Sequence, residues 1–182
     1  MVVFVFLGTN SLSGCTSDKE RLLSENACQY CDLDNMDLSN ANLIGVQLIG
    51  ASLVNSNLSR ANMREASLMN SDFMGALLKH ANLSSANLSN AYLCSANLTN
   101  ANLSKANLSD AVFVDAVLDQ ANLQDVVINR RGLESLYRSK GIDRLVWNSL
   151  IESTQGVDLS SENLQFSNLE KAFLLGVDFR NV

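Results

Sequence analysis

The chain has 182 residues, with 13 Lys and Arg against 19 Asp and Glu and a formal net charge of −6 at pH 7. That length suits one domain with its ends, and the mild acidity lacks the basic footprint of a nucleic-acid binder. No run of 18 apolar residues occurs, so no membrane-spanning helix is expected.

Residues 1–15 open on an apolar stretch, Met1 to Leu7, followed by Leu12-Ser13-Gly14-Cys15. The tetrapeptide resembles the bacterial lipoprotein signal, in which the cysteine is lipidated and becomes the first residue after cleavage. The resemblance implies an extracytoplasmic, periplasmic protein attached to a membrane only through lipidated Cys15. The stretch is short and no Lys or Arg precedes it, so an ordinary N-terminus with an incidental Cys15, on a cytoplasmic chain, stays the alternative.

Residues 16–30 read as a helical cap. Ser17-Asp18-Lys19-Glu20 has the form of a capping box, with Leu22 and Leu23 as apolar contacts. Cys28 and Cys31 close the segment. Cys31 falls on an inward-facing small position of the repeats that follow, and Cys28 just ahead of them, so a disulfide would staple the cap to the first coil. A zinc site would want a second pair, and Cys15 and Cys94 are distant in sequence. A redox motif would want a helix N-terminus in a βαβ context. A structural disulfide is the expectation, in keeping with an oxidising compartment; free buried thiols, or a redox or metal role, are the alternatives.

From 31 to 128 every fifth residue is large and apolar. The centres run Leu33, Leu38, Leu43 and onward to Leu123 and Ile128, twenty units without insertion. Sixteen centres are Leu; the others are Met63, Phe73, Phe113 and Ile128. Two residues earlier stands Ala in fourteen units, with a polar residue, most often Asn, between. A period of five fits neither helix nor strand. It fits a short extended side with small-in, polar-out, large-in alternation, followed by a corner. Four sides closing a square make one coil of twenty residues, so residues twenty apart should stack. Asn42, Asn62, Asn82, Asn102 and Asn122 would then form one outward column. Twenty units make about five coils, and at about 4.8 Å per coil the stack is roughly 24 Å tall. Ser56 and Ser71 take inward small positions and are expected to bond nearby backbone.

Ala81-Asn82-Leu83-Ser84-Ser85, Ala86-Asn87-Leu88-Ser89-Asn90 and Ala101-Asn102-Leu103-Ser104-Lys105 resemble the pentapeptide-repeat family. The resemblance covers more than half the chain and implies an all-β solenoid, a right-handed quadrilateral β-helix. An open coil end invites edge-to-edge association, so an oligomer could form by end stacking.

Residues 129–156 contain no pentapeptides. Leu133, Leu136 and Tyr137 suggest a short helix ending at Gly141, and Asp143 could cap a second carrying Trp147. Arg130, Arg131, Arg138, Lys140 and Arg144 gather there, and with Trp147 they make the candidate partner-docking element. The bland reading is a helical hairpin packed on the coil with solvated charges. Residues 157–182 resume the pattern at Leu159, Leu164, Leu169, Leu174 and Phe179 as one imperfect coil and C-terminal cap.

No catalytic, cofactor or metal constellation is recognisable. His80 falls at a corner, and the carboxylates are scattered over different faces. Six N-x-S/T sequons are by-products of the repeat. The function expected is therefore a non-enzymatic structural or protein-interaction scaffold with an unidentified protein partner and no nucleic acid. The family also includes quinolone-resistance proteins, acidic rods that occupy the DNA-binding surface of DNA gyrase, so a topoisomerase-binding DNA mimic is the alternative.

Overall fold

The computed structural model describes residues 17–142 and residue 150. The readings of Cys15, Arg144, Trp147 and residues 157–182 lie outside the described residues.

Helix α1 (Asp18–Glu25) is opened by a reciprocal capping box. Ser17 Oγ accepts from the Glu20 amide at 3.3 Å, and the Glu20 carboxylate accepts from the Ser17 amide at 3.0 Å. Asn26 ends the helix in the left-handed region at φ 51°. Leu22 is buried, but Leu23 is 62% exposed, which corrects the expectation that both pack inward. Consecutive helical residues point about 100° apart, so a two-turn helix turns only one of them to the stack.

Beyond α1 the chain winds with a step of twenty residues. Ala27 bridges Gln47, Asp32 bridges Ser52, Asp37 bridges Asn57 and Asn42 bridges Asn62, all in parallel, and the four series continue upward. They define faces 1 to 4 in that order. The first bridge involves Ala27, so Asn26–Tyr30 is itself a repeat unit. Cys28 is its buried centre, not a residue ahead of the repeats.

A unit with Asn or Asp at its outward position accounts for all five of its backbone N–H groups. The amide of the centre bonds the next row (Leu93 to the Val112 carbonyl, 2.7 Å), and so does the corner amide (Ser95 to Val114, 2.9 Å). The outward residue bonds the row below (Asn102 to Ala81, 2.9 Å). The small residue closes the corner onto the preceding centre (Ala96 to Leu93, 3.1 Å). The fifth amide, just after the centre, is taken by the outward side chain: Asn82 Oδ1 accepts from Ser84 N at 3.1 Å, and Asp37, Asn57, Asp72, Asn87, Asn97, Asn102, Asn107 and Asn122 do likewise. This is why Asn or Asp recurs there. The Ser84, Ser89 and Thr99 hydroxyls donate to the same oxygens.

Each corner needs one residue at positive φ. Those residues fall every five from Tyr30 to Asp125, and Asn or Gly often fills them. Arg60, Glu65, His80, Lys105 and Gln120 adopt the same conformation at a local steric cost.

Leu, Met and Phe centres and the inward Ala residues form one continuous buried core. Ser56 and Ser71 are fully buried within it, and their hydroxyls donate to the Leu53 and Leu68 carbonyls at 2.7 and 2.5 Å. The Asn column on face 4 carries amide-to-amide bonds of 3.2 Å from Asn82 to Asn62 and from Asn122 to Asn102.

Helix α2 (Arg130–Tyr137) lies where face 2 would continue. Its side chains replace the missing backbone acceptors: Asn129 Oδ1 accepts from Asp110 N at 2.9 Å, and Ser135 Oγ from Phe113 N at 2.6 Å. Gly132 permits the close approach, since a Cβ there would sit 2.5 Å from the Leu108 carbonyl. The helix ends at Tyr137 rather than at Gly141. Lys140 then bridges Val117, twenty-three residues away, so the chain rejoins face 3. The expectation that 129–156 leaves the repeat architecture altogether is corrected for this segment: α2 absorbs three extra residues and the ladder resumes.

Candidate functional site

Three features could carry function: the cysteine pair, the basic segment and the flat faces. Cys28 and Cys31 are both buried, with Cα atoms 5.4 Å apart and sulfurs at bonding distance, 1.95 Å. Cys28 Sγ lies 3.2 Å from the Asp18 carbonyl, and Asp18 Oδ2 accepts from the Asp32 amide at 2.9 Å. The pair thus joins α1, the first unit and the second. The Asp18 carboxylate and both sulfurs fall within 4.8 Å of one another, a third potential ligand that sequence reading missed because ten and thirteen residues separate Asp18 from Cys28 and Cys31. As a bonded pair the cysteines would be a junction; as two thiolates they would be ligands. Cys94 is a half-buried free thiol.

The basic segment is only partly gathered. Lys140 pairs with Asp115 at 2.9 Å within the chain. Arg131 is 85% exposed, with a 3.9 Å approach to Asp110. Arg138 is exposed above the corner at Asp115. For Arg130 only the backbone, at the start of α2, is described. His80 is an exposed corner, as expected.

The faces differ in chemistry. Face 4 is amide-rich. Face 2 carries Asp32, Ser52, Asp72, Tyr92 and Val112 in its bridging column and Asp34, Val54, Met74, Cys94 and Val114 beside it. Asp34 Oδ1 accepts from Ser52 Oγ at 2.5 Å and from Val54 N at 2.8 Å, which anchors its charge to the face. On face 3, Asp37 has its carboxyl held below the ordinary carboxylate range, chiefly by the Ser39 hydroxyl and amide.

The sequence profile described as Pentapeptide repeats matches in eight copies over residues 27–60, 41–79, 71–110 and 96–129. The chain belongs to the pentapeptide-repeat family, whose members form right-handed quadrilateral β-helices and generally serve as structural or interaction proteins. No curated relative matches the chain. Among solved structures, a pentapeptide repeat protein of the Arabidopsis thaliana thylakoid lumen is similar at 27% identity and TM-score 0.58, covering 71% of this chain and 84% of its own. HetL, involved in heterocyst differentiation regulation in the cyanobacterium Nostoc, is 31% identical over 56% of this chain and 55% of its own, with TM-score 0.38. QnrB1, a plasmid-mediated fluoroquinolone resistance protein, is 20% identical with TM-score 0.29, covering 63% of this chain and 56% of its own.

Proposed function

We propose that this chain is a non-enzymatic protein-interaction scaffold, exported and lipid-anchored through Cys15, with Cys28 and Cys31 oxidised to a structural disulfide and helix α1 closing the N-terminal end of the described ladder. One observation carries the scaffold reading. The outward Asn and Asp side chains are tied to the amide two residues on in their own unit, which leaves flat faces suited to recognition by a partner. Export is supported by the Leu12-Ser13-Gly14-Cys15 tetrapeptide, by the buried cysteine pair, and by likeness to a thylakoid-lumen protein, since that compartment is reached across a membrane. No helix of the described residues is long and apolar enough to cross a membrane.

The alternative, a topoisomerase-binding DNA mimic, needs anionic groups repeated along a face like backbone phosphates. Face 2 has acids at Asp32, Asp34 and Asp72, but Tyr92 and Val112 continue the same column. The deciding experiment is intact mass with fractionation of the native host, before and after reduction and alkylation. A membrane species beginning at lipidated Cys15, in which Cys28 and Cys31 become alkylated only after reduction, supports the proposal. An unprocessed soluble species with free thiols overturns it and sends the chain to a gyrase-inhibition assay.

A further inference from the structure

We propose that face 2 is a self-association surface on which a second copy of this chain docks antiparallel, side against side. The inference deepens the scaffold reading and rests on it. At the position just after the centre, face 1 turns from Ile49 and Met69 to Ser89 and Ser109, face 3 carries Ser59, Lys79, Thr99 and Asp119, and face 4 turns from Ile44 to Arg64, Ser84, Ser104 and Gln124. Face 2 instead shows Val54, Met74, Cys94 and Val114, and its bridging column turns from acids to Tyr92 and Val112. Tyr92 is 53% and Met74 47% exposed, in adjoining rows of this face, whereas Ile44, Leu77 and Val127 are exposed large apolar residues of three different other faces.

The order of groups up this face is acidic, apolar, then basic. Asp32 and Asp34 lie at the bottom. The exposed residues of α2 at the top are Arg131, Glu134 and Tyr137, followed by the exposed C-cap Arg138, so two cations stand there against one acid. A twofold axis lying across the face, midway between the Asp72–Met74 row and the Tyr92–Cys94 row, pairs the rows in order, with Ser52 opposite Val112 as the one mismatched position. Because rows recur about every 4.8 Å, this single register sets all the pairs at once. Met74 meets Cys94 of the second copy, and Val54 meets its Val114. Asp72 meets the Tyr92 hydroxyl, which can donate to the carboxylate. Asp32 and Asp34 lie opposite the α2 row with Arg131. None of the three acids has a cationic partner among the described residues, and all keep oxygen lone pairs free for one. Unrelated partners would not be expected to match one register from acid to base, whereas a second copy does so by symmetry.

The test uses the full chain with Cys15→Ser, so that Cys94 is the thiol open to a maleimide. Sedimentation equilibrium should show a concentration-dependent dimer, and a short bismaleimide should link Cys94 to Cys94. Tyr92→Glu sets like charges against Asp72 and should raise the dimer Kd at least about tenfold while leaving the circular-dichroism melt unchanged. Asp32→Arg and Arg131→Glu should each weaken the dimer, and the two together should restore it. A chain that stays monomeric at hundreds of micromolar without Cys94 linkage overturns the proposal, yet leaves the scaffold reading to the fractionation experiment. A dimer insensitive to Tyr92→Glu also overturns it, because association would then use another surface.

Discussion

Replacing Leu93 with Ala tests the load on a central row. Leu93 is fully buried, with Phe73 in the row below and Phe113 in the row above on the same face. The truncation removes three carbon groups, about 2.4 kcal/mol at about 0.8 kcal/mol each. The void adds to this, because the flanking rows are held by backbone bonds of 2.7 Å from Phe73 to Tyr92 and from Leu93 to Val112 and cannot close over it. The expected total is about 3–4 kcal/mol, within the measured range for buried Leu to Ala changes. For a chain of this size that corresponds to a fall in Tm of roughly 10 °C. The assay is urea unfolding followed by far-UV circular dichroism, with the exposed Lys79→Ala as control. A loss below about 1 kcal/mol for Leu93→Ala, or an equal loss for Lys79→Ala, would refute the assigned register. Because a solenoid's stability is nearly a sum over adjoining rows, amide exchange should quicken most in the rows touching residue 93.

Asn82→Ala should cost about 1 kcal/mol in the same assay, more than an exposed polar residue suggests, because the Ser84 amide loses its acceptor and Asn62 its donor. Gly45→Ala isolates backbone strain: φ is +66° and nothing lies within 4 Å of the added Cβ, so the expected loss of about 1 kcal/mol is conformational. Ser71→Ala should change stability by less than about 1 kcal/mol, since it removes a buried hydroxyl while restoring the usual Ala, and calorimetry would check it. Asp37 has a folded pKa below its unfolded one, so its small contribution is present above the ordinary carboxylate pKa and fades as pH falls through the folded value. NMR titration of its carboxyl carbon should therefore give a midpoint below that of a free Asp.

Much of this architecture is legible in the residues because the repeat is strict. A period of five with Leu at the centre and Ala two before it leaves few ways to bury both, and stacking at twenty follows from four sides. The capping box at Ser17 and the corner placement of His80 are equally local. What the residues concealed was long-range. Cys28 reads as a leader to the repeats because Asn26 and Cys28 lack the usual Ala and Leu; only its bridge-bearing neighbour, Ala27, shows it to be a centre. The Asn at the outward position reads as surface polarity until its oxygen is seen on the amide two residues on. The signal is the recurrence of Asn or Asp one before the centre, whatever residue follows it, as in Asn122 before Gln124 and Asp72 before Met74.

The coil follows from local order along the chain, since each unit's inward pair and corner are set by five adjacent residues acting on their own backbone. The ends and the surface depend on contacts between distant residues. The return of Lys140 to Val117 depends on how α2 sits over Leu108 and Phe113, contacts twenty or more residues apart. The apolar band on face 2 likewise exists only because residues such as Val54, Met74, Cys94 and Val114, spaced by twenty along the chain, are stacked into one column by the winding.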